Sequence, residues 1–149
     1  MTQRPRRPLT VLASAPVLVL AASVLVLGAC SGEVTPAVVA GVDSCANCNM
    51  VIDEVNQAAG WIEGGEFVTF DSPSCLLARY EKLRHGGEPL PEELFFADYQ
   101  SSFFHPAAAV TFLLTSHRPT VMGSGTLAFG TEAEAVEARE HDDEVVTDW

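Results

Sequence analysis

Within Asp43-Ser-Cys-Ala-Asn-Cys-Asn-Met50 the chain places two thiols and a thioether inside six residues. Four chemistries use such a stretch: a disulfide, a structural zinc site, thiol–disulfide exchange, and capture of a soft metal ion. Zinc asks for four N or S ligands, commonly as two close pairs. No second Cys-x-x-Cys occurs, and His85, His105, His117 and His141 are dispersed, so a zinc site would have to recruit Cys75 and one remote histidine. Thiol exchange sets its Cys-x-x-Cys at a helix start, where the dipole acidifies the thiol. Here Cys48 is followed by Asn49-Met50-Val51-Ile52, whose β-branched residues disfavour a helix. A Cys45–Cys48 disulfide stays open as a simple staple. Cu(I) fits the residue types best, because this soft ion prefers thiolate and thioether sulfur. In an extended chain residues i and i+2 project to one face, which makes Cys48 and Met50 the primary pair and Cys45 an auxiliary donor.

Further donors must come from elsewhere in the chain. Besides Met1 and Met50 the methionines include just Met122, which opens Met122-Gly-Ser-Gly125, a turn composition and not an apolar stripe. Its thioether is therefore a candidate ligand from the far half, set against the ordinary use of methionine as core filler. A site that hands metal on has to be open, so Met50 and Met122 are expected to be partly exposed. His117, five residues before Met122, is a further candidate donor, although a lone histidine is more often a surface residue. Cys75 falls in the first turn of a predicted helix, where the dipole favours its thiolate and would let it line the site. The competing expectation is a buried structural thiol.

The elements that would position these groups are legible in part. Met50–Ile52 reads as a short strand, and Ala58–Ile62 and Glu66–Phe70 flank Gly64-Gly65, a hairpin signal. Ser72 is a candidate N-cap with Pro73 at the first helical position and Gly86 to close the end. Leu76, Tyr80 and Leu83 recur at i, i+4 and i+7 as the buried stripe. Glu93–Tyr99, Ala107–Thr115, Gly125–Phe129 and Glu144–Trp149 read as strands. Thr131-x-x-Glu134 is a capping box opening a helix to about His141. Aligning Phe70 with Phe129 brings Ser72 onto Thr131. The fold class expected is therefore α+β, two packed ββαβ-like halves, with the first at 43–100 and the second at 101–149. Units of this size bury little core alone, so the halves should pack together.

The N-terminus carries Arg4, Arg6 and Arg7 ahead of an apolar run from about Leu9 to Ala29, which reads as an export signal over residues 1–29. Its end, Leu27-Gly28-Ala29-Cys30, resembles a bacterial lipobox, so Cys30 is the expected lipidation site, with 30–42 as a tether to the folded part. The protein would then sit in the cell envelope, anchored on the exported side of a membrane. With Cys30 assigned to lipid, the three remaining cysteines are an odd number, and a single disulfide leaves one thiol over. Loss of the signal leaves five Lys/Arg against 20 Asp/Glu, a net charge of −15, which argues against nucleic-acid binding.

The combination of lipobox, Cys45-x-x-Cys48-x-Met50, Phe70-Asp71 with Cys75 at a helix start, and Met122-Gly-Ser-Gly125 before a strand ending in Phe129 resembles the NosL family of lipoproteins accessory to nitrous oxide reductase. The resemblance implies two ββαβ-like halves, related in fold to the N-terminal domain of organomercurial lyase. It implies a non-enzymatic chaperone that binds Cu(I) and delivers it for assembly of the nitrous oxide reductase copper centres, alongside an ABC-type membrane complex. Two positions depart from the family pattern. Asn49 stands where the family has Gly, and asparagine tolerates left-handed backbone better than most residues. Val121 stands where the family has Pro. Both departures leave room for a related protein that serves another copper enzyme.

Overall fold

The computed structural model describes residues 33–149, and the expected export signal and the lipidation site Cys30 lie outside the described residues. The chain runs β1 (Ala59–Glu63), β2 (Glu66–Phe70), α1 (Pro73–Gly86), β3 (Leu94–Ala97), β4 (Phe104–Pro106), β5 (Thr111–Leu114), β6 (Thr126–Phe129), α2 (Glu132–Ala138) and β7 (Val145–Asp148). Two antiparallel sheets result, with strand orders β2-β1-β3-β4 and β6-β5-β7. The fold class is mixed α and β, and each sheet is built from a hairpin, a capped helix and a returning strand that pairs with the first strand of its own hairpin. Strand β4, not expected from the sequence pattern and within the 101–149 half, pairs with β3 and extends the first sheet.

Turn and cap chemistry set the boundaries. Gly64 and Gly65 both take positive φ, 61° and 85°, the geometry that closes a two-residue hairpin in register with the strand twist. The Ser72 hydroxyl accepts the Cys75 amide and caps α1, while Gly87, one residue beyond the predicted terminator, adopts φ 69° and ends it. Thr131 caps α2 by accepting the Glu134 amide. That helix stops at Ala138 and not near His141, because the Glu144 carboxylate takes up the Glu140 and His141 amides and bends the chain toward β7. Met50–Ile52 forms no strand. Val51 makes one isolated bridge to Ser44, and the 41–44 segment is tied down by Gly41 N–H to the Ile52 carbonyl.

Packing explains two irregular sequence patterns. Phe67 and Phe70 break strict alternation because they serve opposite faces of the first sheet. Phe70 lies inward against Trp61, with ring centroids 4.5 Å apart. Phe67 lies on the outer face against Phe95 and Phe104, at 6.0 and 5.2 Å. The unbroken apolar run in β5 is covered on both faces. Leu113, with Leu127, Phe129 and Ala135, forms one cluster beneath α2, whereas Phe112 and Ala128 join the main core with Phe96, Leu76 and Leu83. Ala107–Ala109, predicted as the start of this strand, is a short 3-10 turn. Among the described residues no helix is long and apolar enough to cross a membrane.

A buried carboxylate fastens the end of β3 to the turn before α2. Asp98 accepts the Ser101 amide and hydroxyl through Oδ1, and the Gly130 amide through Oδ2 at 2.7 Å. Burial pushes its carboxyl up, but the donors from Ser101, Gly130 and Gln100 outweigh that and hold it below the usual range. A lowered folded pKa stabilises above the unfolded value and is lost as pH falls through the folded one. Asp98→Asn should therefore lower stability at neutral pH and flatten the acid limb of a denaturation-versus-pH curve. Close approach of Phe67 also requires Gly60, since a Cβ there would meet the Phe67 ring at 2.3 Å and the Val68 carbonyl oxygen at 2.7 Å. Gly60→Ala is expected to destabilise by about 1–3 kcal/mol in chemical denaturation.

Candidate metal centre

Cys45 and Cys48 lie on a tight loop that closes on itself. The Cys45 amide donates to the Met50 carbonyl and the Asn49 amide to the Cys45 carbonyl, each at 2.8 Å. Asn49 takes the left-handed conformation this turn demands, φ 62°. The loop is then laid along β2, where the Ala46 amide donates to the Thr69 carbonyl and the Thr69 hydroxyl to the Ser44 carbonyl. On its other side the Lys82 ammonium donates to Asn47 Oδ1. This docking brings the loop thiols over the start of α1, where Asp71 and Cys75 flank the Ser72 cap.

Four groups converge there. Ligand atoms of Cys45, Cys48, Asp71 and Cys75 all lie within 4.8 Å of one another. Cys48 Sγ donates to Asp71 Oδ2 at 3.3 Å, and the Ser72 hydroxyl donates to Asp71 Oδ1. All three thiols are free. Cys45, Cys75 and Asp71 are buried, and Cys48 is the partly open member. Sulfur ligands sit about 2.3 Å from a d¹⁰ ion, so ligands around one ion are at most about twice that apart. The observed spread needs only slight contraction to surround a soft cation.

The electrostatics of Cys75 reverse the helix-dipole expectation. Burial pushes its thiol up to about 12, and the neighbouring Asp71 carboxyl adds to this. Burial likewise raises Cys48, with Cys45 and Asp71 contributing and the Met50 backbone opposing. Low dielectric and a facing carboxylate outweigh the helix end. Metal binding must therefore displace thiol protons, and affinity should rise with pH.

The thioethers are more open than the thiols. Met50 and Met122 are 52% and 55% exposed, the partial exposure expected of an exchangeable site. An open cleft of about 250 Å³ is lined by Met50, Asp71 and Val121, so it runs from the first thioether to the carboxylate and to the neighbour of the second. Met122 sits in a hydrogen-bonded 3-10 turn, Val121–Gly123, and not in a loose one. Gln57 Oε1 accepts the Val121 amide at 2.8 Å, and the Thr120 hydroxyl accepts the Gly125 amide. Met122 itself takes φ 56°, a strain of about 1–3 kcal/mol for a residue that is not glycine. His117 is engaged elsewhere: its Nε2 contacts Asp143 at 2.9 Å and its ring stacks on His141 at 3.8 Å. Asp71 is the group that the sequence reading did not count as a donor. Its signal was the Phe70-Asp71 step, which sets a carboxylate just ahead of a cap and four residues before a thiol.

No family model matches the chain, and the search of curated proteins gives no match. Among solved structures, the copper chaperone NosL from Shewanella denitrificans superposes with a TM-score of 0.56 at 18% identity, covering 69% of this chain and 84% of that one. The fold is that of NosL. The two ββαβ units expected from the sequence are thus found in an arrangement already known from a solved protein.

The accessibility pattern gives a direct check. Alkylation of the native protein near pH 8 should modify Cys48 first and leave Cys75 unmodified until the chain is unfolded, as read by mass spectrometry of the digested protein.

Proposed function

We propose that the protein is a non-enzymatic Cu(I) chaperone, with copper as its cargo. The observation that carries this reading is the convergence of three free thiols and one carboxylate beside the exposed thioether of Met50. That ligand set is soft, which suits Cu(I). Cys45, Cys48 and Cys75 would hold the ion, Met50 and Met122 would admit or release it at the surface, and Asp71 would balance its charge. The likeness in fold to a copper chaperone supports the same reading. Thiol–disulfide exchange is the weaker alternative, because the attacking first thiol of such a pair must be open to its substrate whereas Cys45 is buried, and burial pushes the more open Cys48 up.

In the full reading the chain is exported, acylated at Cys30 and held on the outer side of a membrane. There it passes copper to nitrous oxide reductase through an ABC-type membrane complex. The export signal, the lipobox and the motif combination support this part.

Anaerobic competition against a Cu(I) chelator tests the binding step. Cys48→Ser is expected to weaken retention by about tenfold or more, and Met50→Ala to loosen it less while speeding or slowing exchange. Unchanged affinity in both variants would remove these residues from the site.

A further inference from the structure

We propose that the mouth of the metal centre is a docking surface for a basic protein that brings its own soft donor, and that copper leaves through this surface. The proposal rests on the Cu(I) reading above and names the partner chemistry. Residues 41–44 and 51–52 are held side by side by Gly41 N–H to the Ile52 carbonyl, Ile52 N–H to the Asp43 carbonyl, and the Ser44–Val51 bridge. This frame leaves Val42, Met50 and Val51 exposed; Met50 and Val51 line the adjoining cleft with Val121, whose neighbour Met122 is exposed as well. Every charged residue that lines the adjoining cleft is acidic, namely Asp53, Glu54 and Asp71. No lysine or arginine among the described residues lines this cleft, and Lys82, Arg84 and Arg118 are held elsewhere by Asn47, Glu81 and Glu140. An apolar centre with a charged rim is the composition of a docking face, and the rim selects the partner by sign.

The sign excludes other occupants. A second copy would bring the same acids against Asp53 and Glu54, and like-charge juxtaposition opposes pairing. Anionic lipid headgroups and nucleic acid are repelled for the same reason. What fits is a protein face with lysine or arginine around a methionine, cysteine or histidine small enough to enter the cleft beside Met50. Transfer is then stepwise ligand exchange: each incoming donor bonds to copper as one bond to the site breaks, Met50 sulfur first and the cysteine thiolates last, each released thiolate taking a proton from water. Copper stays Cu(I), and no electron moves.

The test uses the full-length protein in neutral detergent, loaded with Cu(I), and two fluorescent peptides with an identical pair of cysteines, one flanked by lysines and one by glutamates. Stopped-flow mixing at low salt should show the lysine peptide drawing copper about tenfold faster or more, with the advantage collapsing at about 0.5 M salt. The Asp53→Lys/Glu54→Lys double variant, checked for its copper load and circular dichroism, should reverse the order. Equal rates for the two peptides, or indifference to the charge reversal in a folded and loaded variant, overturns the docking surface. A parent chain that retains no Cu(I) before mixing overturns the copper reading itself, and this is seen before any peptide is added.

Discussion

Burial of the Asp71 carboxylate at the start of α1 is the constraint around which the site is built. A carboxylate out of water must find donors. Here they are the Cys48 thiol and the Ser72 hydroxyl, and the same hydroxyl caps the helix through the Cys75 amide. One side chain thus connects the cysteine loop, the helix start and the third thiol. Thiols are weak donors, so these contacts satisfy the carboxylate only modestly. A cation among the sulfurs would satisfy it far better, and the arrangement that raises the thiols is the one that favours positive charge.

The two ββαβ units use the same plan to different ends. In each, the last strand pairs with the first, and the second strand ends in a fully buried phenylalanine, Phe70 or Phe129, followed two residues later by the helix cap. Between phenylalanine and cap, the first unit has Asp71 and the second has Gly130. The first turn faces the cysteine loop and carries the carboxylate that meets the thiols. The second turn offers its backbone amide to Asp98, a residue of the first unit. The duplicated turn faces the thiols on one side and is a fastening on the other.

Local signals in the sequence are legible where local chemistry decides. Two adjacent glycines force the hairpin, and Ser72 and Thr131 compete best for orphan amides at helix starts. Positions decided by long-range contact were harder. Strand β4 is three residues long and contains Pro106 and His105, so no alternation can reveal it; it forms because the outer-face aromatics Phe67, Phe95 and Phe104 meet there. The environment of Cys75 was read from the helix dipole, whereas burial and Asp71 govern it, and neither is visible without the loop that covers them. His117 was a candidate by proximity in sequence to Met122, but Asp143 and His141, far along the chain, claim its ring.

The backbone of Met122 sets comfort against chemistry. A left-handed position in a tight turn is one that glycine or asparagine would occupy with less strain, and a half-exposed thioether adds little to the core. A redesign that ranks positions by backbone energy would replace this residue among the first and obtain a more stable protein. It would also delete an exposed sulfur next to Val121, which lines the cleft that reaches Asp71, so the gain in ruggedness would come at a place where the fold tolerates discomfort.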